Sequence, residues 1–250
     1  MENIELSLIV PCYNEDTHLT ENLGRLKQVL DAIVFQSEII IIDDASTNNT
    51  VEMITDFISA NPGAENIRFI RHEENYGRGK TVNEGILAAR GAIAGFVDVD
   101  FSTSPWYIPA LVAEIRNGAE VVIGQRIYKL KFKVLHRWIL SKGYKFLVGL
   151  FLGLDLGDTE SGCKFFQRDK IVPVLSEVKD ERWFWDTEII ARSHFAGLII
   201  RNLPTVFIRE SLYTTVKIFD DSWRHLVNLI RLSRELKQRS RETLPIKSNA

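Results

Sequence analysis

Cysteine is almost missing from this 250-residue chain, which has only Cys12 and Cys163. Two cysteines build no disulfide framework, show no metal-ligand spacing, and fit a reducing compartment. Long apolar runs are missing too. A spanning helix needs ~20 consecutive apolar residues, and the longest uncharged apolar run, Phe146 to Leu154, falls well short. The start, MENIELSLIV, has neither a basic leader region nor a signal-like apolar core, so no secretory leader is expected. Net charge is only -2, which removes any general call to nucleic acid. There is no internal repeat and no low-complexity segment, and only 243–250 reads as a tail. What remains is an ordinary globular composition, 45% hydrophobic, enough for one large domain or two small ones.

Charge is scarce only locally. From Val121 to Leu154 no acid occurs, yet Arg126, Lys129, Lys131, Lys133, Arg137, Lys142 and Lys145 all fall there. Upstream, short apolar runs alternate with helical patterns. Leu6 to Val10 reads as a buried strand, stopped by Pro11. Leu19, Leu23, Leu26 and Leu30 recur at helical spacing. Ser37 to Ile42, Ile67 to Arg71, Ile93 to Val97 and Glu120 to Ile123 read as further strands. Helices are expected at Val51 to Ile58, from about Lys80 to Ala89, and at Pro105 to Ile115. This alternation predicts an α/β fold with a mostly parallel sheet flanked by helices. Parallel strands end on one edge, so the polar stretches that follow them gather there: Tyr13 to Glu15, Asp43 to Ser46, Gly77 to Lys80, Asp98 to Ser102.

Asp98 and Asp100 stand out in that set. Carboxylates two apart at a strand end point the same way. They make a poor core and a good divalent-cation site, since Mg²⁺ takes one or two carboxylates and fills its shell with water and substrate phosphates. An ordinary capping or solvent-facing role explains them equally well on their own. Gly79-Lys80-Thr81 invites a phosphate-loop reading, but Glu74 stands where that motif needs glycine. Val82 likewise removes the third small residue of a dinucleotide fingerprint. A glycine turn opening a helix remains, with Gly77 and Lys80 as candidate phosphate contacts.

Taken together, Pro-x-Tyr-Asn-Glu, Asp-Asp-x-Ser-x-x-x-Thr, Asn-x-Gly-x-Gly and Asp-x-Asp, in this order and spacing, resemble the family 2 inverting glycosyltransferases. The resemblance spans about residues 4 to 220 and implies the GT-A nucleotide-sugar fold. Within the family, Gly124-Gln125-Arg126, Arg137-x-x-x-Ser141, Asp158-Thr159-x-Ser161-Gly162-x-Lys164 and Trp185-Asp186-x-Glu188 look like the polyprenyl-phosphate (dolichyl-phosphate) sugar transferases. The branch using UDP-glucose is nearest and the GDP-mannose branch is its neighbour. Ser161-Gly162-Cys163 departs from the glucose branch's usual Cys-Gly-Phe.

The resemblance implies that Pro11, Tyr13, Glu15 and Asp43 line the nucleotide, and that Asp98 meets the ribose or metal. It gives Asp100 as the Mg²⁺ or Mn²⁺ ligand, with Ser102 where relatives offer a further polar ligand. Arg126, Arg137 and Ser141 would receive the acceptor's lipid phosphate. Lys217 falls in a loop that closes over the donor in relatives. Asp186 stands near the family's catalytic aspartate. A phosphate monoester has its second pKa at about 6, so such an acceptor is already nucleophilic. Asp186 is therefore expected to position substrate more than to take a proton.

Two amphipathic stretches follow from the residues themselves. Phe132 to Leu150 reads as a helix with Lys133, Arg137, Ser141 and Lys145 spaced by four along one stripe. Trp223 to Arg241 puts Leu226, Leu229 and Ile230 on one face. Both suit a membrane surface, or simply a face docked on the chain's own domain. The expected layout is a catalytic domain over 1–220, an amphipathic helix over 221–242 on the domain or membrane, and the tail. The expected partners are a nucleotide-sugar donor, a polyprenyl-phosphate acceptor, a membrane surface on its cytoplasmic side, and an accompanying membrane protein. Two rivals stay open: transfer to a sugar hydroxyl in glycan assembly, and a non-catalytic scaffold that binds a nucleotide sugar. A sugar-nucleotide pyrophosphorylase would need a glycine-rich loop after the first strand, which Pro11 to Glu15 does not supply.

Overall fold

The computed structural model describes residues 4–15, 18–61, 66–128, 135–153, 155–208 and 218–242. The side chains of 128, 135–141, 218–222 and 239–242 lie outside that description. Seven strands form one sheet: β1 (Leu6–Cys12), β2 (Ser37–Asp43), β3 (Ile67–Arg71), β4 (Ile93–Val97), β5 (Val121–Tyr128), β6 (Cys163–Gln167) and β7 (Ile200–Phe207). Their order is β3-β2-β1-β4-β6-β5-β7. All pairs are parallel except those of β6, which runs antiparallel to both β4 and β5. The reversed β6 is absent from the sequence reading, because its residues are a short, nearly continuous apolar run with no alternation to mark it.

Among the described residues eight α-helices cover the sheet: α1 (Leu19–Asp31), α2 (Thr50–Ser59), α3 (Arg78–Ala88), α4 (Ile108–Arg116), α5 (Leu135–Leu152), α6 (Arg168–Leu175), α7 (Trp185–Phe195) and α8 (Ile218–Glu242). A 3-10 turn at Pro105–Tyr107 leads into α4, and the Ser104 hydroxyl accepts from the Trp106 amide at its start. Strand side chains alternate between two apolar clusters, as a two-sided sheet requires. Leu8, Val10, Ile39, Ile41 and Val97 face one cluster with Leu23 and Leu26 of α1 and Leu111 of α4. Ile9, Ile40, Ile42 and Phe96 face the other, with Val82 of α3, Val148 of α5, Ile189 of α7 and Leu229 of α8.

Two prolines show how the backbone accommodates a missing N–H. β1 does not stop at Pro11 but continues to Cys12, paired with Asp43. The pairing with β4 has ended at Ile9, so Pro11 keeps one neighbour only. Pro204 likewise sits inside β7, and β7 is the sheet's edge. Proline is tolerated in both settings.

α8 is docked on the body of the domain. Leu229, Leu232 and Leu236 are buried in the second cluster, and the Ser233 hydroxyl donates to the Phe151 carbonyl at 2.6 Å. Glu188 of α7, fully buried, accepts from Arg192 at 2.5 Å and from Arg231 of α8 at 3.0 Å. Glu235 of α8 pairs with Arg192 at 3.0 Å and Lys179 at 2.8 Å. A buried charge left without its partner is costly, so these pairs fix the register of α8 on α7.

Candidate active site

The topology assembles the site at one edge. β1, β2, β3, β4, β5 and β7 all end there, and because β6 is reversed, the loop before it arrives at the same edge. Val97 pairs with Cys163, and the Asp98 amide donates to the Gly162 carbonyl at 2.9 Å. The loop Asp158 to Gly162 therefore lies against Asp98. The first turns of α3 and α7 meet there too. A Cβ on Gly79 would lie 2.5 Å from the Trp185 Cβ, so only glycine lets α3 approach the start of α7 so closely.

That approach delivers Arg78 between two acids. Its Nη1 donates to Asp186 at 2.5 Å, while Nε and Nη2 donate to one Asp98 oxygen at 2.8 and 2.6 Å. Burial opposes the charge on Arg78, and Asp186 with Asp98 more than offsets it, so the guanidinium stays cationic. It lies over the Phe96 and Trp183 rings, at 5.1 and 5.5 Å. The other oxygen of Asp186 accepts from Lys164, which is fully buried and also donates to the Ser161 carbonyl. Burial lowers the Lys164 pKa, and Asp186 pulls it back in part. Both carboxylate oxygens of Asp186 are thus held by cations.

Asp98 and Asp100 stand where β4 ends. Burial raises the Asp98 carboxyl, and the nearby charges of Asp100 and Asp186 add to it against the pull of Arg78. An excess of carboxylate at one point is what a divalent cation relieves. Phe101, between Asp100 and Ser102, has φ 44°, a strained setting for a side chain of this size. The turn brings the Ser102 amide and hydroxyl onto the Asp100 carboxylate, both at 2.9 Å. Ser102, proposed from sequence as a metal ligand, orients Asp100 in this arrangement. Its carbonyl accepts from the Ile208 amide at 2.8 Å, tying the turn to the end of β7.

The residues fit Mg²⁺ or Mn²⁺. Two hard carboxylates share an edge, and among the described residues no three His, Cys, Asp or Glu side chains converge as a closed protein cage. That pattern leaves the remaining ligands to substrate phosphates and water. A Cβ on Gly162 would lie 1.7 Å from an Asp98 oxygen. Gly162→Ala should accordingly displace Asp98 and weaken Mn²⁺ binding by about 10- to 100-fold. Titration of Mn²⁺ by electron paramagnetic resonance checks this, and unchanged affinity would separate Asp98 from the metal.

The other sequence-nominated residues fall into three groups. Tyr13, exposed, and Glu15 follow β1, where the Asn14 amide donates to the Ser46 hydroxyl at 2.8 Å and the Glu15 amide to Thr50 at 2.8 Å. Pro11, opposite Ile42, and the fully buried Asp43, opposite Cys12, lie beneath them on β1 and β2. The Asp43 carboxylate accepts from the Ser46 amide and hydroxyl, which shapes the loop. Gly77 and Lys80 open α3, but their own amides are taken. The Gly77 amide donates to Asp44 at 2.8 Å and that of Lys80 to the Glu181 carbonyl at 2.9 Å. The Lys80 ammonium lies 3.7 Å from Glu181 and 3.8 Å from Glu84, away from the acid pair. Arg126 occupies the opposite flank on β5. Asp158 grips its guanidinium at 2.6 and 2.7 Å and sets its plane. Burial raises the Asp158 carboxyl, and Arg126 overrides that and holds it below the usual range. The side chains of Arg137 and Ser141 on α5, and Lys217 altogether, lie outside the described residues.

Beside Arg126 a polar cluster joins α5, α7 and α8. The Tyr144 hydroxyl donates to Thr187 at 2.8 Å, and Thr159 reaches the same oxygen at 3.0 Å. The His225 ring sits edge-on to Tyr144 and Phe184, with Nε2 3.9 Å from Glu160. Both cysteines are buried, and burial pushes the Cys163 thiol up to about 12 and Cys12 well above its ordinary value. Neither is a nucleophile at neutral pH.

Sequence reasoning missed Arg78, Lys164 and Asp158 as functional positions. Signals existed for two of them. Arg78 stands between two glycines, and Lys164 is a lone cation in the apolar run Cys163-Lys164-Phe165-Phe166. Such a lysine must find a carboxylate.

The family model described as Glycosyl transferase family 2 matches residues 7–172. The chain is 32% identical to Glycosyltransferase AglD of Haloferax volcanii over 209 residues, covering 80% of this chain and 32% of that one. It is 31% identical to a dolichyl-phosphate beta-glucosyltransferase of Dictyostelium discoideum over 204 residues, covering 76% of this chain and 62% of that one. The chain thus spans less than two thirds of the length of these relatives. Among solved structures it is similar to glucosyl-3-phosphoglycerate synthase of Mycobacterium tuberculosis in complex with Mn²⁺, UDP-glucose and phosphoglyceric acid. That match has TM-score 0.68 and 16% identity over 92% of this chain and 79% of the other, a likeness of fold. The fold is the GT-A type.

Proposed function

The chain belongs to glycosyl transferase family 2, and we propose that within it the protein transfers glucose from UDP-glucose to a polyprenyl phosphate, with inversion at the anomeric carbon. The observation that carries this reading is the state of Asp186. A general base needs an open lone pair directed at the proton it takes. Here Lys164 and Arg78 occupy both carboxylate oxygens. A site whose aspartate is so engaged suits an acceptor that arrives already ionised, as a phosphate does. The names of the relatives point the same way, and Arg126 supplies the planar donors that phosphate favours.

In this reading Tyr13 and Glu15 flank the nucleotide, and Asp98 with Asp100 hold the divalent cation. When bound, that cation neutralises charge building on the departing diphosphate. Arg78 and Lys164 fix Asp186 against the sugar. Arg126, held in plane by Asp158, takes the acceptor phosphate. A phosphate oxygen then bonds to the anomeric carbon as the bond to the donor's β-phosphate breaks, and UDP leaves. Much of the rate comes from holding the two partners in line. Because the acceptor is a lipid, the reading also sets the protein peripherally at the cytoplasmic face of a membrane. Among the described residues no helix is long and apolar enough to cross one.

The direct test is transfer to a short-chain polyprenyl phosphate, comparing UDP-glucose with GDP-mannose, with and without Mg²⁺ or Mn²⁺. Metal-dependent lipid-phosphate glucose is the expected product. A mannose product would move the donor, and donor hydrolysis without lipid product would remove the acceptor. Asp186→Asn should cost less than about a hundredfold in kcat with the phosphate acceptor, below what a lost general base usually costs. A fall of many orders of magnitude would favour the rival in which a sugar hydroxyl is deprotonated.

A further inference from the structure

The helices flanking the Arg126 side have an outer face that the reaction does not use. α5 and α8 lie side by side and run the same way. Tyr144 and His225 are in ring contact at 5.4 Å, and further along both helices Ser233 donates to the Phe151 carbonyl. Each buries its inner face in the same core, through Val148 and Leu152 on one and Leu229, Leu232 and Leu236 on the other. Their outer faces therefore turn to the same side. There Phe146 is 69% exposed, Leu150 64%, Trp223 68% and Val227 48%. Each pair is spaced by four, so each forms a stripe along its helix. Phe151, by contrast, packs inward.

Among the described residues the exposed charges on these faces have one sign. Lys142, Arg224, Arg234 and Lys237 are exposed. Among the described residues no acidic side chain is exposed on either helix. Glu235 turns inward to Arg192 and Lys179, and Asp155, just beyond α5, pairs with Lys145 at 2.9 Å. A solvated face would mix signs and shed its aromatics. Aromatic and aliphatic stripes interleaved with cations match an anionic bilayer surface.

We propose that the outer face of α5 and α8 docks this chain on an anionic lipid surface. Phe146, Leu150, Trp223 and Val227 enter the boundary between headgroups and acyl chains, and the four cations meet lipid phosphates. The proposal rests on the reading that the acceptor is a lipid phosphate and adds how the chain reaches it. The inner flank of the same two helices places Tyr144 and His225 in the polar cluster with Glu160, near Arg126. One helix pair thus faces the bilayer outward and that cluster inward.

The test is flotation of the full chain with vesicles of phosphatidylcholine alone, or with about a third phosphatidylserine, and no polyprenyl phosphate in either. The wild-type chain should float with the anionic vesicles, less so in high salt. The triple variant Phe146→Ser, Leu150→Ser, Trp223→Ser should bind them about tenfold more weakly or worse, with unchanged transfer to a short, water-soluble acceptor. Arg224→Gln with Arg234→Gln should weaken binding to anionic vesicles by about tenfold or more and leave neutral vesicles unaffected. No flotation of the wild type, or equal flotation of all variants, overturns the proposal. So does a wild-type dimer that the triple variant dissociates without any vesicle binding, since the face then joins two copies. A chain that floats yet transfers nothing refutes the acceptor reading and leaves the docking face standing.

Discussion

Replacing Asp100 with alanine is expected to lower kcat for metal-dependent transfer by about a thousandfold or more, at saturating donor. The size of the effect follows from where the residue stands. β4 ends at Val97, and the turn through Phe101 holds Asp100 in the open, with both its oxygens oriented by Ser102. No other described carboxylate reaches that position, and Asp98 is already shared with Arg78. On the proposed reading, removing Asp100 takes away the cation's exposed anchor and with it the main stabiliser of the charge growing on the diphosphate. Ser102→Ala is the milder companion. It leaves the ligand and loosens its aim, so the expected loss is about tenfold in metal affinity with kcat nearly unchanged at saturating metal. A metal titration of kcat for both variants separates the two. An Asp100→Ala enzyme within tenfold of wild type would remove this carboxylate from the chemistry.

The largest effect on stability should come from Lys164→Met. Lys164 is wholly buried, and its ammonium lies 5.2 Å from the centre of the Phe96 ring. Methionine fills much of the same space but leaves one oxygen of the buried Asp186 unanswered. Removing one partner of a buried pair typically costs about 3–5 kcal/mol. Arg78 still holds the other oxygen, so the lower end, about 3 kcal/mol, is expected. Urea unfolding of the single and double variants measures it. Adding Asp186→Asn to Lys164→Met removes the stranded charge and should recover at least half of the loss. Additive losses would show that Lys164 acts through packing alone. Lys164→Arg is no rescue, because the larger fork has no room beside Phe96 and Ser161.

Much of the fold is readable in the residues because the β1 to β5 half obeys local rules. Leu19, Leu23, Leu26 and Leu30 announce α1, and the strand ends at Asp43 and Asp98 announce one polar edge. β6 escapes because its direction is set by a partner rather than by its own pattern. A five-residue strand with no alternation reads the same forwards and backwards. The site divides likewise. Asp98, Asp100, Asp186 and Arg126 are visible as charges after strands or at helix starts. Arg78 is hidden because its role depends on α3 touching α7, a contact between segments about a hundred residues apart that shows locally only as Gly79. Asp158 is hidden because its partner, Arg126, approaches through the reversal of β6. Long-range pairing of this kind leaves no periodicity behind.

The reversed strand and the inward-facing α8 together have a consequence for synthesis. Strands β3, β2, β1 and β4 are contiguous in the sheet and complete by Val97, so this half can pair while the ribosome is still elongating. The other three strands cannot follow in order. β5 leaves the ribosome before β6, yet β6 lies between β5 and β4. β5 must therefore wait with both edges unmatched until residue 167 has emerged, and its outer edge waits longer, for β7. The second core stays open until Leu236 arrives. Nascent chains stalled between these points expose a strand edge and half a core, and they are the stage at which this protein most needs a chaperone.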